Sequence, residues 1–337
     1  MHFFVTGHTG FKGSWLTLLL KELGHEVSGY SLEPIKGGFF DRAKLHKMLK
    51  GHFIGDVRNR GELESAFFES EAQYAVHLAA QPLVLESYVN PIETYTTNVD
   101  GTRNFLEVVS SHPSPPVTLV VTTDKVYRDD GKRAYIETDP LGGHDPYSAS
   151  KAMADILTQS WAYTNPNLKL HIARAGNVIG AFDTSPNRLI PDALRAVDSG
   201  RELLIRNPNA VRPWQHVLDC LSGYLKFLEA AARGQRLPIA LNFGPDSESV
   251  RTVSSLVAKV EEFLPDLSHR IQPAQNNLNE TILLSLDSTL AKDLLGWRNL
   301  IEFERAVQMS VLEYKSDNPL AVAKMQVRDF VLSRGVD

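Results

Sequence analysis

The chain has 337 residues, of which 43% are hydrophobic and 22% are charged, and its formal net charge is -5. This composition is typical of a globular protein, and the acidic balance excludes the broad basic surface that nucleic-acid binding requires. Cys220 is the single cysteine, which excludes an internal disulfide, and no Cys/His cluster has zinc-ligand spacing. We therefore expect a reducing compartment and no metal ion.

The beginning of the chain leads from a short apolar run directly into a glycine-rich turn. It shows no basic region, apolar stretch and cleavage site of a secretory signal. No apolar run approaches the roughly 18 residues that a membrane span needs. We expect a cytoplasmic protein that binds neither membranes nor nucleic acids.

Short apolar runs alternate with amphipathic segments in the first half of the chain. The pattern predicts strands at 2–6, 27–30, 74–78, 117–122 and 170–174, and helices at 14–23, 61–69, 94–110 and 147–164. Strands that alternate with helices form a parallel sheet covered on both faces. The predicted fold class is α/β, a Rossmann-like, doubly wound parallel sheet that binds its ligand at the carboxyl ends of its strands.

The pattern loosens after about residue 176, where Pro, Asn and Arg cluster at 183–191 and 206–213. Helices are predicted at 191–199, 216–232, 253–263, 288–295 and 301–314, and strands at 240–243 and 280–285. This half is predicted to be a smaller, mixed α/β C-terminal domain over 176–337 that binds mainly the substrate. It is expected to exchange segments with the first domain, over 1–175.

Three glycines, Gly7, Gly10 and Gly13, follow the first strand and open the first helix. The first permits a tight turn, the second lets backbone N–H groups approach a pyrophosphate, and the third lets helix and strand pack closely. The alternative is a strand-helix turn without a ligand. We expect a dinucleotide cofactor, with Phe11 and Lys12 beside its phosphates.

The second strand ends at Ser31, without the acidic residue that usually binds the adenosine ribose at this point. Glu33 lies further along, and no Arg pair for a 2′-phosphate is present. NAD is therefore favoured over NADP. Asp56 and Val57 follow a third strand-like stretch and are expected at the adenine, although Asp56 could equally be an ordinary loop acid.

Tyr147 and Lys151 are four residues apart on a predicted helix, so both side chains extend from one face. A nearby ammonium, together with the positive nicotinamide of the cofactor, favours the phenolate and is expected to bring the tyrosine pKa toward neutrality, which makes a usable base. Thr123, Asp124 and Lys125 follow a buried strand and lie at the ligand-binding edge of the sheet. In isolation the pair could be a solvated tyrosine and lysine, but this context favours a catalytic site.

Another strand end carries the residues expected on the nicotinamide side of the cofactor. These are Leu78, Ala79 and Ala80, with Asn98 from the following helix.

Together these residues resemble the extended short-chain dehydrogenase/reductase family of nucleotide-sugar enzymes. Within that family the resemblance is greatest to the 4,6-dehydratases that act on CDP-glucose. Its most specific segments are 6–15, 77–84, 122–127, 145–151, 174–180, 188–192 and 212–217. The resemblance covers most of the chain up to about Tyr224 and is thin thereafter.

The resemblance implies a redox-neutral dehydration. Tyr147 would remove the O4 proton while the C4 hydride passes to NAD, water would leave from C5 and C6, and the hydride would return to C6. The product is a 4-keto-6-deoxy sugar, an intermediate of deoxysugar biosynthesis such as that of the lipopolysaccharide O-antigen. Asp124 would act as the acid of the elimination. Lys125 would be its base, or would stay charged and stabilise the C4 enolate while a water takes the proton.

The resemblance also implies the substrate site and the assembly. Gln81 would contact the substrate, and Asn177, Arg188 and Arg212 would hold its diphosphate, because the Arg fork matches phosphate oxygens. A homodimer would form through the helices that carry Asn98 and Tyr147.

Two segments, 182–185 and 128–133, depart from the family pattern at loops expected near the sugar or the base. The nucleotide base and the sugar configuration therefore stay open. The alternatives are a 4-epimerase or decarboxylase, which would share the first step, and a catalytically silent NAD-binding sensor.

Overall fold

The computed structural model describes residues 1–128, 133–272 and 284–334. Its strands are β1 His2–Thr6, β2 Glu26–Ser31, β3 Gly51–Ile54, β4 Tyr74–His77, β5 Val117–Thr123, β6 Leu170–Ala175, β7 Val178–Ile179, β8 Leu203–Ile205, β9 Val211–Pro213, β10 Gln215–His216, β11 Ala240–Phe243, β12 Val250–Thr252 and β13 His269–Ile271. Its α-helices are α1 Phe11–Glu22, α2 Phe39–Arg42, α3 Arg60–Ser70, α4 Val84–Val89, α5 Pro91–Tyr95, α6 Gly101–Ser111, α7 Pro146–Thr164, α8 Leu189–Asp198, α9 Val217–Ala232, α10 Val253–Phe263, α11 Thr289–Leu295, α12 Phe303–Val311 and α13 Pro319–Ser333.

In the described part of the chain, the central sheet has seven parallel strands in the order β11-β6-β5-β4-β1-β2-β3. The order of β1 to β6 is that of a Rossmann fold, in which the crevice beside β1 and β4 binds a dinucleotide. The predicted fold class is confirmed.

Strand β1 shows how the sheet is covered, because it is buried along its whole length. Phe3 and Val5 belong to a core that includes residues of α1, α9 and α13, and Phe4 belongs to a second core formed with α3 and α6. A strand buried on both faces needs helices on both sides. Helix α13 was not predicted from the sequence, and its Val327 and Phe330 complete the first of these cores.

A separate core lies among α8, β8, α10 and α12, where Ile190, Leu203, Val257 and Val307 are buried together. Short pairs of strands surround it. Strands β7 and β10 are parallel, as are β8 and β13, whereas β9 and β12 are antiparallel. Each of these strands has only two or three residues, which is too short to produce a recognisable hydrophobic period.

Chain segments after residue 176 also contribute to the central sheet. The strand predicted at 240–243 is present as β11, and Ala240 lies opposite Ile172 of β6. The strand predicted at 280–285 falls largely outside the described residues. Residues 284–285 are not in a strand, and Leu286 forms a single bridge with Tyr135. The domain boundary at 175/176 stays a prediction.

The predicted helix over 94–110 is divided in the structure. A π-helical turn at Thr96–Asp100 separates α5 from α6. Across the described ranges, no helix has the length and apolar character that crossing a membrane requires.

Candidate active site

The glycine turn brings three backbone segments into close contact. Gly7 has a φ of 73°, and a Cβ there would lie 2.7 Å from the backbone nitrogen of Ala79. A Cβ on Gly13 would lie 2.1 Å from the carbonyl oxygen of Gly7, whereas at Gly10 the nearest heavy atom would be 3.4 Å away. Only glycine fits the first and third positions, and the second leaves room for a ligand at the N-terminus of α1. This geometry fits the pyrophosphate of a dinucleotide.

The residues expected at the adenosine end are held by protein contacts. The Ser31 hydroxyl lies 2.8 Å from the Thr9 hydroxyl. The Asp56 carboxylate accepts from the backbone nitrogen of Arg58 at 2.8 Å and from its Nε at 2.9 Å. Hydrogen bonds from Arg58 hold the pKa of Asp56 below its ordinary value. Asp56 is therefore an ionised loop acid paired with Arg58 that also lies beside the crevice.

One elongated cavity of about 870 Å³ runs from the glycine turn to the end of β5 and on to the region after β6. The residues selected from the sequence that line it are Gly7, Gly10, Phe11, Lys12, Gly13, Ser31, Asp56, Val57, Leu78, Ala79, Ala80, Gln81, Thr123, Lys125, Tyr147, Lys151, Asn177, Arg188 and Arg212. Asp124 and Asn98 are not in its lining. Both are buried directly behind residues that are.

Tyr147 lies in the first turn of α7, which begins after Asp145 accepts a hydrogen bond from the Ser148 backbone nitrogen at 2.9 Å. Its phenol interacts with the Thr123 side chain at the end of β5, and this interaction favours the phenolate. Lys151 follows one turn later, and its ammonium donates to the carbonyl oxygen of Val121 at 2.9 Å. The helix start and the strand end therefore bring the three side chains to one point of the cavity wall.

Burial dominates the electrostatics of this group. It raises the pKa of Tyr147 to about 12, opposed in part by the charge of Arg188 and by the Thr123 hydrogen bond. Burial, with the nearby charge of Lys12, lowers the pKa of Lys151 to about 8. The sequence predicted a tyrosine pKa brought toward neutrality by Lys151 together with the positive nicotinamide of the bound cofactor. Among the groups of the chain alone the shift is upward, because desolvation of the phenolate outweighs the charge of Arg188, and the Lys151 ammonium is bonded to a carbonyl.

Asp124 is 1% exposed, and its two carboxylate oxygens have different surroundings. Oδ1 accepts from the Thr123 hydroxyl at 2.9 Å and from the Lys125 ammonium at 3.4 Å. Oδ2 has no hydrogen-bond partner among the described residues, and a Cβ on Gly176 would lie 3.0 Å from it. Tyr147, Thr123, Asp124 and Lys125 thus form a continuous run of proton-carrying groups beside the cavity.

Asn98 and Gln81 are hydrogen-bonded to each other in the structure. The Asn98 side chain accepts from the Gln81 backbone nitrogen at 2.8 Å and donates to the Ser150 hydroxyl at 2.9 Å. The Gln81 side chain donates to the Thr94 hydroxyl at 2.8 Å and also bonds the backbone of Leu83. The site prediction did not include Ser150, although it lies within the Tyr-Ser-Ala-Ser-Lys segment. These contacts fix the loop after β4 against α7, and they use the Gln81 amide that was predicted to contact substrate.

The substrate side is formed by segments that follow β6. Arg188 precedes α8, and its charge acts on Tyr147, so it lies near the reaction end of the cavity. Arg212 lies on β9 with Nη1 bonded to the carbonyl oxygen of Val211 at 2.9 Å. Asn177 binds the backbone of Gln215 through its own carbonyl at 3.1 Å. The structure places these three residues on the wall of one cavity.

The divergent segment 182–185 turns partly inward. Phe182 is buried and stacks on Phe39 at a centroid distance of 5.0 Å, whereas Asp183 and Ser185 line the cavity. Of the other divergent segment, 128–133, residues 129–132 lie outside the described residues. In the described ranges, no group of three or more His, Cys, Asp or Glu side chains is placed to hold a metal ion.

Comparison with known proteins agrees with this geometry. Residues 3–243 match the model of the NAD dependent epimerase/dehydratase family. The chain is 38% identical over 343 residues to a CDP-glucose 4,6-dehydratase of Salmonella typhimurium, with 97% of this chain and 95% of that protein covered. It is 27% identical to a UDP-glucose 4-epimerase of Erwinia amylovora, with 88% and 93% covered.

Among solved structures, the fold is similar to that of a dTDP-glucose 4,6-dehydratase of Bacillus anthracis in complex with NAD. That comparison has a TM-score of 0.77 and 24% identity, and it covers 94% of this chain and 96% of the other. With the family match over most of the chain and a glycine turn that fits the cofactor, the chain belongs to the NAD dependent epimerase/dehydratase family, and its cofactor is NAD.

Proposed function

We propose that the chain is an NAD-dependent hydro-lyase that converts CDP-D-glucose to CDP-4-keto-6-deoxy-D-glucose and water. The observation that carries the proposal is the run of Tyr147, Thr123, Asp124 and Lys125 at the cavity wall. Oxidation at one carbon needs a single base. Removal of water from two further carbons needs a second acid and base, and Asp124 and Lys125 are available for that task.

Tyr147 takes the proton of the sugar O4. Thr123 hydrogen-bonds its hydroxyl, and the Arg188 charge favours the phenolate against the effect of burial. Lys151 is fixed on the Val121 carbonyl and places a second cation behind the tyrosine. When bound, NAD supplies the acceptor for the C4 hydride and the donor that returns it at C6. The reaction therefore needs no outside oxidant.

The elimination follows because a ketone at C4 acidifies the C5 hydrogen. Lys125 lines the cavity with 29% of its side chain exposed, and its ammonium contacts Oδ1 of Asp124 at 3.4 Å. A proton passed from Lys125 to Asp124 across this contact leaves a neutral amine, which reaches C5 and takes the C5 proton. Asp124 gives a proton to the C6 hydroxyl, the C5–H and C6–O bonds break, a C5–C6 double bond forms, and water leaves. As the hydride returns to C6, Lys125 gives the proton that it took back to C5.

The nucleotide is the finer part of the proposal. Asn177, Arg188 and Arg212 line the cavity beyond the reaction groups, where two guanidinium groups can bind the diphosphate. The relative at 38% identity acts, by its name, on CDP-glucose, and this supports cytidine as the base. We expect CDP to compete more strongly than UDP, dTDP or GDP.

The proposal is tested by incubating the purified protein with the glucose conjugates of CDP, UDP, dTDP and GDP and recording product masses. We expect loss of one water, fastest from CDP-glucose. A product of unchanged mass would indicate a 4-epimerase. Turnover of none of the four would indicate a silent NAD-binding protein, and at least tenfold tighter binding of dTDP or GDP would overturn the choice of base.

The homodimer is also a proposal. Large apolar side chains are exposed together on α4, α5 and α7, among them Val89 at 73%, Ile92 at 74% and Ile156 at 52%. Helices α4, α5 and α7 are neighbours in the fold. Exposed apolar side chains on neighbouring helices are typical of an interface, and a second copy would bury them symmetrically. Light scattering should give a dimer for the native chain and a monomer for Ile92→Lys.

The cytoplasmic location and a role in O-antigen synthesis stay predictions.

A further inference from the structure

Lys12 is the second residue of α1, and its ammonium does not stay at the phosphate-binding turn. Nζ donates to the hydroxyl of Tyr224 on α9 at 3.3 Å and lies 5.7 Å from the centre of that ring. The side chain therefore lines the cavity and extends from the glycine turn to α9. Its charge has a fixed position inside the site.

The neighbours of this ammonium are neutral. Tyr224 and Cys220 are one turn apart on α9, and neither is exposed to solvent. Burial raises the pKa of the Tyr224 phenol and of the Cys220 thiol, so both keep their protons at neutral pH. In the part of the chain that the structure describes, no carboxylate forms an ion pair with Lys12. The chain itself leaves this charge uncompensated.

Lys12 is close to the reaction groups. Its charge contributes, after burial, to the lowered pKa of Lys151, and Tyr224 is in turn within electrostatic reach of Tyr147. Two ammonium groups facing one half-buried space repel each other. The position lies between the turn that fits a pyrophosphate and the tyrosine that faces the sugar, which is where the nicotinamide half of a bound dinucleotide must pass.

We propose that Lys12 makes bound NAD a stronger hydride acceptor, because its ammonium disfavours the cationic oxidised nicotinamide relative to the neutral reduced ring. During oxidation at C4 the C–H bond breaks and its electron pair moves with the hydrogen to the ring. The O4 proton goes to Tyr147, and the positive charge of the ring disappears. Removing that charge relieves repulsion with Lys12 and Lys151. This inference rests on the proposed function, since it concerns the cofactor of the same reaction.

The test compares the affinities of NAD and NADH, measured by calorimetry without any sugar, in the native chain and in Lys12→Met. The two ligands carry the same diphosphate and adenosine and differ only in the nicotinamide, which is a cation in NAD and a neutral dihydropyridine in NADH. We expect the ratio of the NAD dissociation constant to the NADH dissociation constant to fall about tenfold or more in Lys12→Met. If Lys12 acts only on the diphosphate, both constants rise together and the ratio does not move, which would overturn the proposal.

Three variants complete the design. Lys12→Arg keeps the charge and should retain the native ratio. Lys21→Met removes a charge from the last turn of the same helix and should also leave the ratio unchanged. Tyr224→Phe removes only the hydroxyl that fixes the ammonium and should lower the ratio by less than Lys12→Met, so the inference can be tested even if Lys12→Met does not fold. A negative product-mass panel would contradict the dehydratase and leave this ratio unaffected.

Discussion

The proposed reaction groups and the proposed substrate-binding groups are supported in different ways. Tyr147 and Thr123 lie at a helix start and a strand end of the central sheet, and they contact each other directly. Arg188 and Arg212 come from a helix cap and a three-residue strand outside that sheet. The chemistry is thus held by regular, buried structure, whereas recognition depends on short segments that can differ without disturbing the sheet.

A buried ion pair strengthens this contrast. Arg174 on β6 donates to both carboxylate oxygens of Asp155 on α7 at 2.8 and 2.9 Å, and both residues are almost fully buried. Asp155 also accepts from Thr122, the residue before Thr123. The pair joins α7 to β5 and β6 beside the reaction groups. In the substrate-binding region, Arg195 pairs instead with Asp192, and both of these side chains are partly exposed.

The largest effect is expected when the proposed base, Tyr147, is removed from the reaction groups at the central sheet. Tyr147→Phe keeps the ring and its packing, so NAD and nucleotide sugar should still bind, while kcat falls by roughly 10²–10⁴, the usual contribution of general acid–base catalysis. Tyr163→Phe, on the same helix but 89% exposed, is the matched control and should have native turnover. Steady-state kinetics measure kcat for both variants. A near-native kcat in Tyr147→Phe would show that this tyrosine is not the base.

Lys125→Ala separates oxidation from elimination within the same region. The variant keeps Tyr147 and Thr123, so the first oxidation should proceed, whereas loss of water should slow by roughly 100-fold or more. A bound 4-keto-hexose should accumulate, seen as reduced-nicotinamide absorbance with no matching loss of water in the product mass. Dehydration at the native rate would show that Lys125 takes no part in the elimination.

The same contrast explains what the sequence could predict. The glycine turn, the ends of β4 and β5 and the Tyr147–Lys151 spacing are local patterns, and β1, β11 and α10 begin and end where expected. Contacts between distant segments gave no local signal. Lys12 meets Tyr224 across 212 positions, and Gln81 has its amide bonded to Thr94. The sequence also does not show how deeply Tyr147 is buried. The rise in its pKa caused by burial therefore could not be compared with the lowering caused by nearby positive charges.

A smaller effect is expected from a substitution among the proposed substrate-binding groups. Arg212→Lys retains a positive charge but loses the planar fork that can bind two phosphate oxygens. We expect KM for CDP-glucose to rise about tenfold with kcat changed little, because the contact lies away from the reacting carbons. Arg201→Lys, at an exposed residue outside the cavity lining, is the control and should not change KM. A fall in kcat with unchanged KM would place Arg212 in the reaction group instead.

The last expected effect is on stability rather than on turnover, and it concerns the joint between the two regions. Asp219 on α9 accepts from the backbone nitrogens of Leu300 at 2.8 Å and Ile301 at 3.1 Å, and Ile301 packs against the cores of both regions. Burial, partly opposed by these hydrogen bonds, raises the pKa of Asp219 to about 7. The folded chain therefore retains a proton that the unfolded chain releases near the ordinary carboxyl pKa of about 4.

It follows that the contribution of Asp219 to the free energy of unfolding falls as the pH rises from about 4 to about 7 and is constant above that range. Each unit of pKa difference corresponds to about 1.4 kcal/mol. Asp219→Asn cannot titrate at this position. The difference in free energy of unfolding between the native chain and this variant should therefore shrink by about 1.4 kcal/mol per pH unit between pH 5 and pH 7. Above pH 7 the difference should stay constant. Urea unfolding at unit steps from pH 5 to pH 8 measures the difference, with the exposed Asp317→Asn as control. Parallel curves for the native chain and Asp219→Asn would show that the carboxyl at the joint is ionised throughout, and that its two backbone hydrogen bonds outweigh its burial.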